Sequence, residues 1–312
     1  MESSAEREGV ADGNFNLPTA ISLSSRISRL LDHSPRGSII ATFSRSCYIN
    51  LDGHIIAVVA AELLNGPLNL VVSLPPATTF VDVPVGGVVE VRDHILDIAG
   101  GWSVDAAGAQ PWDARLTPVP ATAGLGRRLA SVQVMLEADA PPESIARAEG
   151  RPPRAAEGME LLATGLRRGA VPVVARAAHE LAGLGPGLTP SGDDVLAGTL
   201  LAVAVLGPAQ AQGFRESIMT SVRGRTTRIS EAYLEAAADG EAGEAWHRLL
   251  AILRRDEETT VAGAAGEATT PSPAGGAADL RAAVHRILAF GETSGADMLA
   301  GFVLAMTALR PA

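Results

Sequence analysis

The pattern T-(P)-S-G-x-D-x-L-A-G occurs twice in this chain, each time as a glycine-bearing turn that runs into an apolar helix. The first copy is "GLGPGLTPSGDDVLAGTLLA", residues 183–202, and the second is "GETSGADMLAGFVLA", residues 291–305. Thr189, Ser191, Gly192, Asp194, Leu196, Ala197 and Gly198 match Thr293, Ser294, Gly295, Asp297, Leu299, Ala300 and Gly301 in turn. A glycine inside a helix costs about 1 kcal/mol relative to alanine, so Gly198 and Gly301 at the same turn point to close backbone approach. If the two helices cross there, their N-termini flank one site at which backbone N–H groups and helix dipoles converge on an anion.

In each copy a serine stands three residues before an aspartate, Ser191 to Asp194 and Ser294 to Asp297. That is capping-box spacing, with the hydroxyl capping the helix and the acid reaching back. Two capped core helices are the plainest account of it. The glycines and prolines of "GLGPGLTPSG", Gly185 and Gly187 among them, exceed what a cap needs and suit a rigid loop around a ligand. Asp193, Asp194 and Asp297 would repel a bare anion, so as catalytic candidates they are expected to bind Mg²⁺ or to accept hydrogen bonds from a substrate NH₂. Asp193 faces Ala296 in the alignment of the copies and is the carboxylate least explained by capping. Between the copies, "SVRGRTTRIS" gathers Arg223, Arg225 and Arg228 with Thr226, Thr227 and Ser230. Guanidinium forks match carboxylate or phosphate oxygens; an exposed helix start capped by Thr226 or Thr227 would use the same residues.

At 312 residues the chain exceeds the usual size of one core, which predicts two domains or one large α+β body. Residues 1–30 read as a polar tail and lead-in. Residues 31–120 cluster β-branched residues between turn signals, with hairpin signals at Asp52-Gly53 and Gly86-Gly87, and predict a mostly antiparallel β domain. Strand alternation leaves sandwich and barrel both open. Residues 121–312 carry helical spacing, as in "GRRLASVQVMLEADA", "IARAEG" and "GMELLATGLRRG", and predict an all-helical domain that holds both copies of the glycine-loop motif. Small polar residues with Gly and Pro over 256–279 predict a flexible loop.

A formal net charge of −10 argues against nucleic acid or an anionic membrane as partner. The longest apolar runs, at about a dozen residues, are too short to span a bilayer. Cys47, the single cysteine, excludes an intrachain disulfide and fits a reducing cytoplasm, as does an N-terminus without signal-peptide character. It reads as a small buried hydrophobe. The six histidines show no metal-ligand spacing, and neither a G-x-S-x-G elbow nor a nucleotide-binding glycine loop is present.

The signatures "GLGPGLTPSGDDVLAG", "RTTRISEAYLEAAADG" and "GETSGADMLAG" together resemble a bacterial family that includes the H subunit of oxamate carbamoyltransferase, from anaerobic allantoin breakdown. The resemblance implies a cytoplasmic, multi-subunit ureide carbamoyltransferase of purine nitrogen catabolism, whose other subunits are this chain's partners. Its reaction converts oxalurate and phosphate to oxamate and carbamoyl phosphate. Carried onto this sequence, the signature positions are Gly185, Gly187, Thr189, Ser191, Gly192, Asp193 and Asp194, then Thr226, Thr227 and Ser230, then Thr293, Ser294, Gly295 and Asp297. Arg225 and Arg228 join them as expected anion ligands. Glu292 stands where the family pattern has histidine, a departure that bears on which ureide is used. A non-catalytic scaffold or ligand-sensing subunit is the competing expectation.

Overall fold

The computed structural model describes residues 18–120, 122, 124–255 and 273–310. Its first part is one mixed but mostly antiparallel sheet. Nine strands are present among the described residues: β1 (Ala20–Ser24), β2 (Arg36–Thr42), β3 (Ser46–Leu51), β4 (His54–Ala60), β5 (Asn69–Val72), β6 (Val88–Arg92), β7 (Ile95–Ile98), β8 (Trp102–Asp105) and β9 (Gln110–Trp112). Their order is β8-β7-β6-β2-β3-β4-β5-β1-β9, with parallel pairing only at β4/β5 and β1/β9. The sheet curls until Thr19, at the start of β1, bridges to Asp105 at the end of β8. The choice between sandwich and barrel therefore falls to a single curled sheet whose far strand meets an inner one. Residues 20–31, all but Leu31 within the stretch expected as tail and lead-in, form β1 and the helix α1 (Ser25–Leu31).

The turn at Asp52-Gly53 is a two-residue hairpin, with both residues at positive φ and Leu51 paired to His54. Gly86-Gly87 is not. Gly86 donates to the Ile39 carbonyl at 2.8 Å and Ile39 donates to Gly87 at 3.0 Å, beside a register shift in β2, so these glycines lead β6 onto β2. The hairpin that follows lies at Asp93-His94, both at positive φ, where Asp and His take the place of the more usual glycine.

β4 reads as a continuous apolar run because both of its faces are covered. Ile56, Val58 and Ala60 enter the core enclosed by the curled sheet, while Ile55, Ala57 and Val59 face outward. Ile55 and Leu68 pack there against Ile229 of the helical part. Arg26 of α1 adds ion pairs to Asp239 and Glu241, each at 2.9 Å.

The second part comprises α2 (Leu125–Asp139), α3 (Pro153–Arg167), α4 (Val171–Leu181), α5 (Ser191–Leu206), α6 (Ala211–Val222), α7 (Arg228–Ala238), α8 (Glu244–Leu253), α9 (Pro273–Leu288) and α10 (Ser294–Leu309). The loop expected over 256–279 lies outside the described residues as far as 272, and from 273 the chain is α9. "IARAEG" departs from its expected helix. Residues 141–152 form a run of turns, bracketed by Pro141-Pro142 and Pro152-Pro153, because proline removes the N–H and the φ/ψ freedom that would carry α2 onward. No helix among the described residues is long and apolar enough to cross a membrane.

α5 is buried on nearly every side, packed by α10, α7, α6 and α4, and is accordingly apolar all round. Its contact with α10 is made by backbone. A methyl group placed on Gly198 would lie 1.8 Å from the Met298 carbonyl oxygen, and one on Gly301 would lie 2.0 Å from that of Val195. Both glycines are fixed by this crossing. Gly198→Ala is expected to cost about 3 kcal/mol or more through overpacking, against a helix-propensity gain of about 1 kcal/mol. Gly276→Ala, on an open face of α9, meets nothing and should only gain. Thermal unfolding of the two variants beside the wild type measures the contrast.

Candidate functional site

The α5–α10 crossing brings both sequence copies of the glycine turn to one place. Gly192 packs against the Leu181 carbonyl at the end of α4 and donates to the Leu184 oxygen at 2.8 Å. Gly295 packs likewise against the Ile287 carbonyl at the end of α9 and donates to Phe290 at 2.9 Å. Each helix thus begins pressed against the helix before it. Gly185 and Gly187 adopt positive φ in the exposed part of the longer loop.

Neither serine is a cap. α5 has Pro190 at its N-cap and α10 has Thr293, and neither makes a side-chain capping bond, so the capping-box expectation fails. The hydroxyls turn to the opposite copy instead. Ser294 Oγ lies 2.9 Å from Thr189 Oγ1, and these two hydroxyls stand against the Asp194 carboxyl. Ser191 and Thr293 stand against Asp297. Each aspartate therefore meets the threonine of its own copy and the serine of the other.

The three carboxylates differ. Asp193 is spent on the protein: Oδ1 accepts from the Gly183 N–H at 2.8 Å, and Oδ2 accepts from Thr226 and, at 2.9 Å, from Ser230. It ties the glycine loop to the start of α7. Asp194 and Asp297 are 4% and 0% exposed, and in each one oxygen, Oδ2, has no hydrogen-bond partner. Oδ1 of Asp297 accepts from Ser144 Oγ at 2.5 Å and from the Ala146 N–H at 3.2 Å. Among the described residues no three His, Cys, Asp or Glu side chains gather as ligands for one metal ion.

Burial pushes Asp194 well above the ordinary carboxylate range; Ser294 and Thr189 oppose the shift, while the charges of Asp297 and Asp193 add to it. Burial raises Asp297 and Asp193 as well, against the hydroxyl and amide donors around them. Desolvation favours the protonated form of each of these carboxyls over the ionised one.

The arginines do not converge. Arg225 reaches the His179 carbonyl at 3.3 Å, and Arg228 reaches Gly53 in the β3–β4 hairpin at 3.0 Å. Thr227 caps α7, accepting from the Ser230 N–H at 3.0 Å, and donates to Leu188 in the glycine loop. Glu292 is exposed. Cys47 is fully buried, which pushes its thiol up to about 12.

Further residues complete the surroundings. Tyr233 of α7 feels the charge of Asp194, shares a 3.3 Å hydroxyl contact with Tyr48 of β3, and meets the Phe290 ring edge-on at 6.3 Å. On the Asp297 side, Ser144 and Arg151 of the turn segment and Ser191, Leu184 and Gly185 of the glycine loop line a cleft of about 200 Å³. The bracketing prolines of 141–152 were the only sequence signal for that segment.

Residues 19–111 match the AllH family N-terminal domain, and residues 181–278 match the family described as oxamate carbamoyltransferase subunit AllH. The chain belongs to the AllH family. The second match takes in the glycine loop, α5 and the Thr226–Ser230 region, and ends before Ser294 and Asp297. No solved structure matches the chain.

Because burial raises Asp194 above the roughly pH 4 at which an unfolded aspartate ionises, this group's stability contribution is complete at low pH. It is lost as pH rises through the raised folded value. Asp194→Asn should flatten that decline and raise stability relative to wild type at about pH 8. Denaturant unfolding across this range measures it; parallel curves for the two proteins would place the proton elsewhere.

Proposed function

We propose that this chain is a subunit of an oxamate carbamoyltransferase, and that the paired N-termini of α5 and α10 form its small-molecule site. The observation that carries this reading is the pair of buried Oδ2 atoms on Asp194 and Asp297, unpartnered beneath hydroxyls from both sequence copies. A buried acceptor without a partner costs about 1–3 kcal/mol or more. Two of them at facing helix ends are better explained by a ligand that satisfies them than by packing.

Carbamoyl transfer from oxalurate to phosphate forms a C–O bond at the carbamoyl carbon and breaks the C–N bond to the oxamate nitrogen. The attacking hydrogen phosphate loses a proton and the leaving nitrogen gains one. A carboxyl pair that holds one proton suits this exchange, with one member accepting as the other donates. Ser191, Thr189, Ser294 and Thr293 would orient the carbamoyl NH₂ and its oxygen, while the N–H groups at the two helix starts would stabilise charge developing on that oxygen. Asp193, Thr226, Thr227 and Ser230 act as positioning residues that hold the glycine loop on α7. Arg225 and Arg228, both engaged with backbone carbonyls away from the crossing, are assigned no part in anion binding. The other subunits are the expected partners, in the cytoplasm.

The test is carbamoyl transfer by the chain assembled with its partner subunits. Asp194→Asn and Asp297→Asn are each expected to lower kcat by about 100-fold or more, the usual range for a proton-transfer group, while the assembly persists. Wild-type turnover in both would make the crossing architecture and this chain a scaffold. Oxamate at 100 times its Kd should add about 2.7 kcal/mol to the stability of the wild-type assembly.

A further inference from the structure

We propose that the cleft between residues 141–152 and the glycine loop binds the carboxylate and amide end of the substrate, an oxamate-type group, and not the phosphoryl group, with Arg151 as the carboxylate anchor. This rests on the function proposed above and assigns residues that no sequence motif marks.

The cleft has a built wall. Arg151 Nε donates to the Ile145 carbonyl at 2.6 Å and Nη2 to Ala146 at 2.8 Å, so the guanidinium is held in one plane. An arginine carries five N–H groups in a fixed fork, and those not spent on these carbonyls remain for a carboxylate. Arg151 lines the cleft and also feels the charge of Asp297. Ser144 closes the link. Its hydroxyl donates to Asp297 Oδ1 and accepts the Ala146 N–H at 3.1 Å, while that N–H is shared with Asp297. Ser191 lines the cleft from one side and stands against Asp297 from the other. A ligand in this cleft therefore lies one side chain away from the buried carboxyl.

Size and charge select the ligand. About 200 Å³ falls below the usual range for drug-sized ligands and suits a molecule of a few heavy atoms. Arg151 is the cation of the wall, and Glu143 stands at its exposed lip. A dianionic phosphate would meet one guanidinium, the Glu143 carboxylate and the Asp297 carboxyl behind Ser144. A monoanion with a carboxylate at one end and an NH₂ at the other pairs both: the carboxylate with Arg151, and the NH₂ with Glu143 and the serine hydroxyls.

The experiment is equilibrium binding of oxamate, oxamide and inorganic phosphate to the chain assembled with its partner subunits. Arg151→Gln is expected to weaken oxamate by about tenfold or more, the loss usual for a charge-assisted bond, and to leave the weaker binding of uncharged oxamide unchanged. Glu143→Gln, at an exposed side chain, should let phosphate compete with oxamate where it does not in wild type. Unfolding temperature separates loss of the anchor from loss of the fold. Should Arg151→Gln remain folded and bind oxamate as wild type does, the cleft assignment falls while the function proposed above stands. Phosphate displacing oxamate from the wild type would also overturn it. Failure of the wild-type assembly to bind oxamate at all would overturn both.

Discussion

The backbone contact between α5 and α10 sets the terms for the rest of the molecule. Because Gly198 and Gly301 carry no side chain, each helix lies against a carbonyl of the other, and the two helix starts meet through Thr189 and Ser294 at 2.9 Å. Gly192 and Gly295 repeat the device one level out, seating each helix start against the end of the preceding helix. Four glycines thus fix where Ser191, Asp194, Ser294 and Asp297 stand. The electrostatics follow. Carboxyls held that near the centre of a helical core are desolvated, so each favours its protonated form more than a surface aspartate does. A looser crossing would admit water and return both groups to ordinary acids.

The sheet has a separate role in this arrangement. Its outward face on β3 and β4 receives α7 through Ile55, Leu68 and Ile229, and α7 in turn carries Ser230 to Asp193 and Tyr233 toward Asp194. The glycine loop is held from below by its own helix and from the side by α7, which the sheet braces. Rigidity in a loop with Gly185 and Gly187 at positive φ comes from those attachments, since the glycines themselves supply none.

Much of this was legible in the sequence because it follows from local chemistry. The β-to-helix order, the hairpin at Asp52-Gly53 and the glycine crossing each rest on a property of a few adjacent residues or of one repeated pattern. What escaped depends on distant partners. Capping-box spacing describes Ser191 and Ser294 with their own aspartates, whereas the fold offers each serine the aspartate a hundred residues away, a pairing that spacing along one helix cannot express. Arg225 and Arg228 are neighbours in sequence, but the turn into α7 sends them to different carbonyls. Arg151 and Ser144 sit in a turn segment with helix-forming composition, where two proline pairs override propensity.

The two sides of the crossing also explain why a repeated pattern need not make two equal sites. Asp194 acts on Tyr233, whose hydroxyl meets Tyr48 and whose ring meets Phe290. Asp297 looks toward Ser144, the Ala146 N–H and Arg151. Hydroxyls oppose the shift at both carboxyls, and at Asp297 the Ala146 N–H adds to them. Burial raises both carboxyls, and it raises Asp194 further than Asp297. The hydroxyls are reciprocal at the crossing, and the residues beyond them make the two carboxyls unequal.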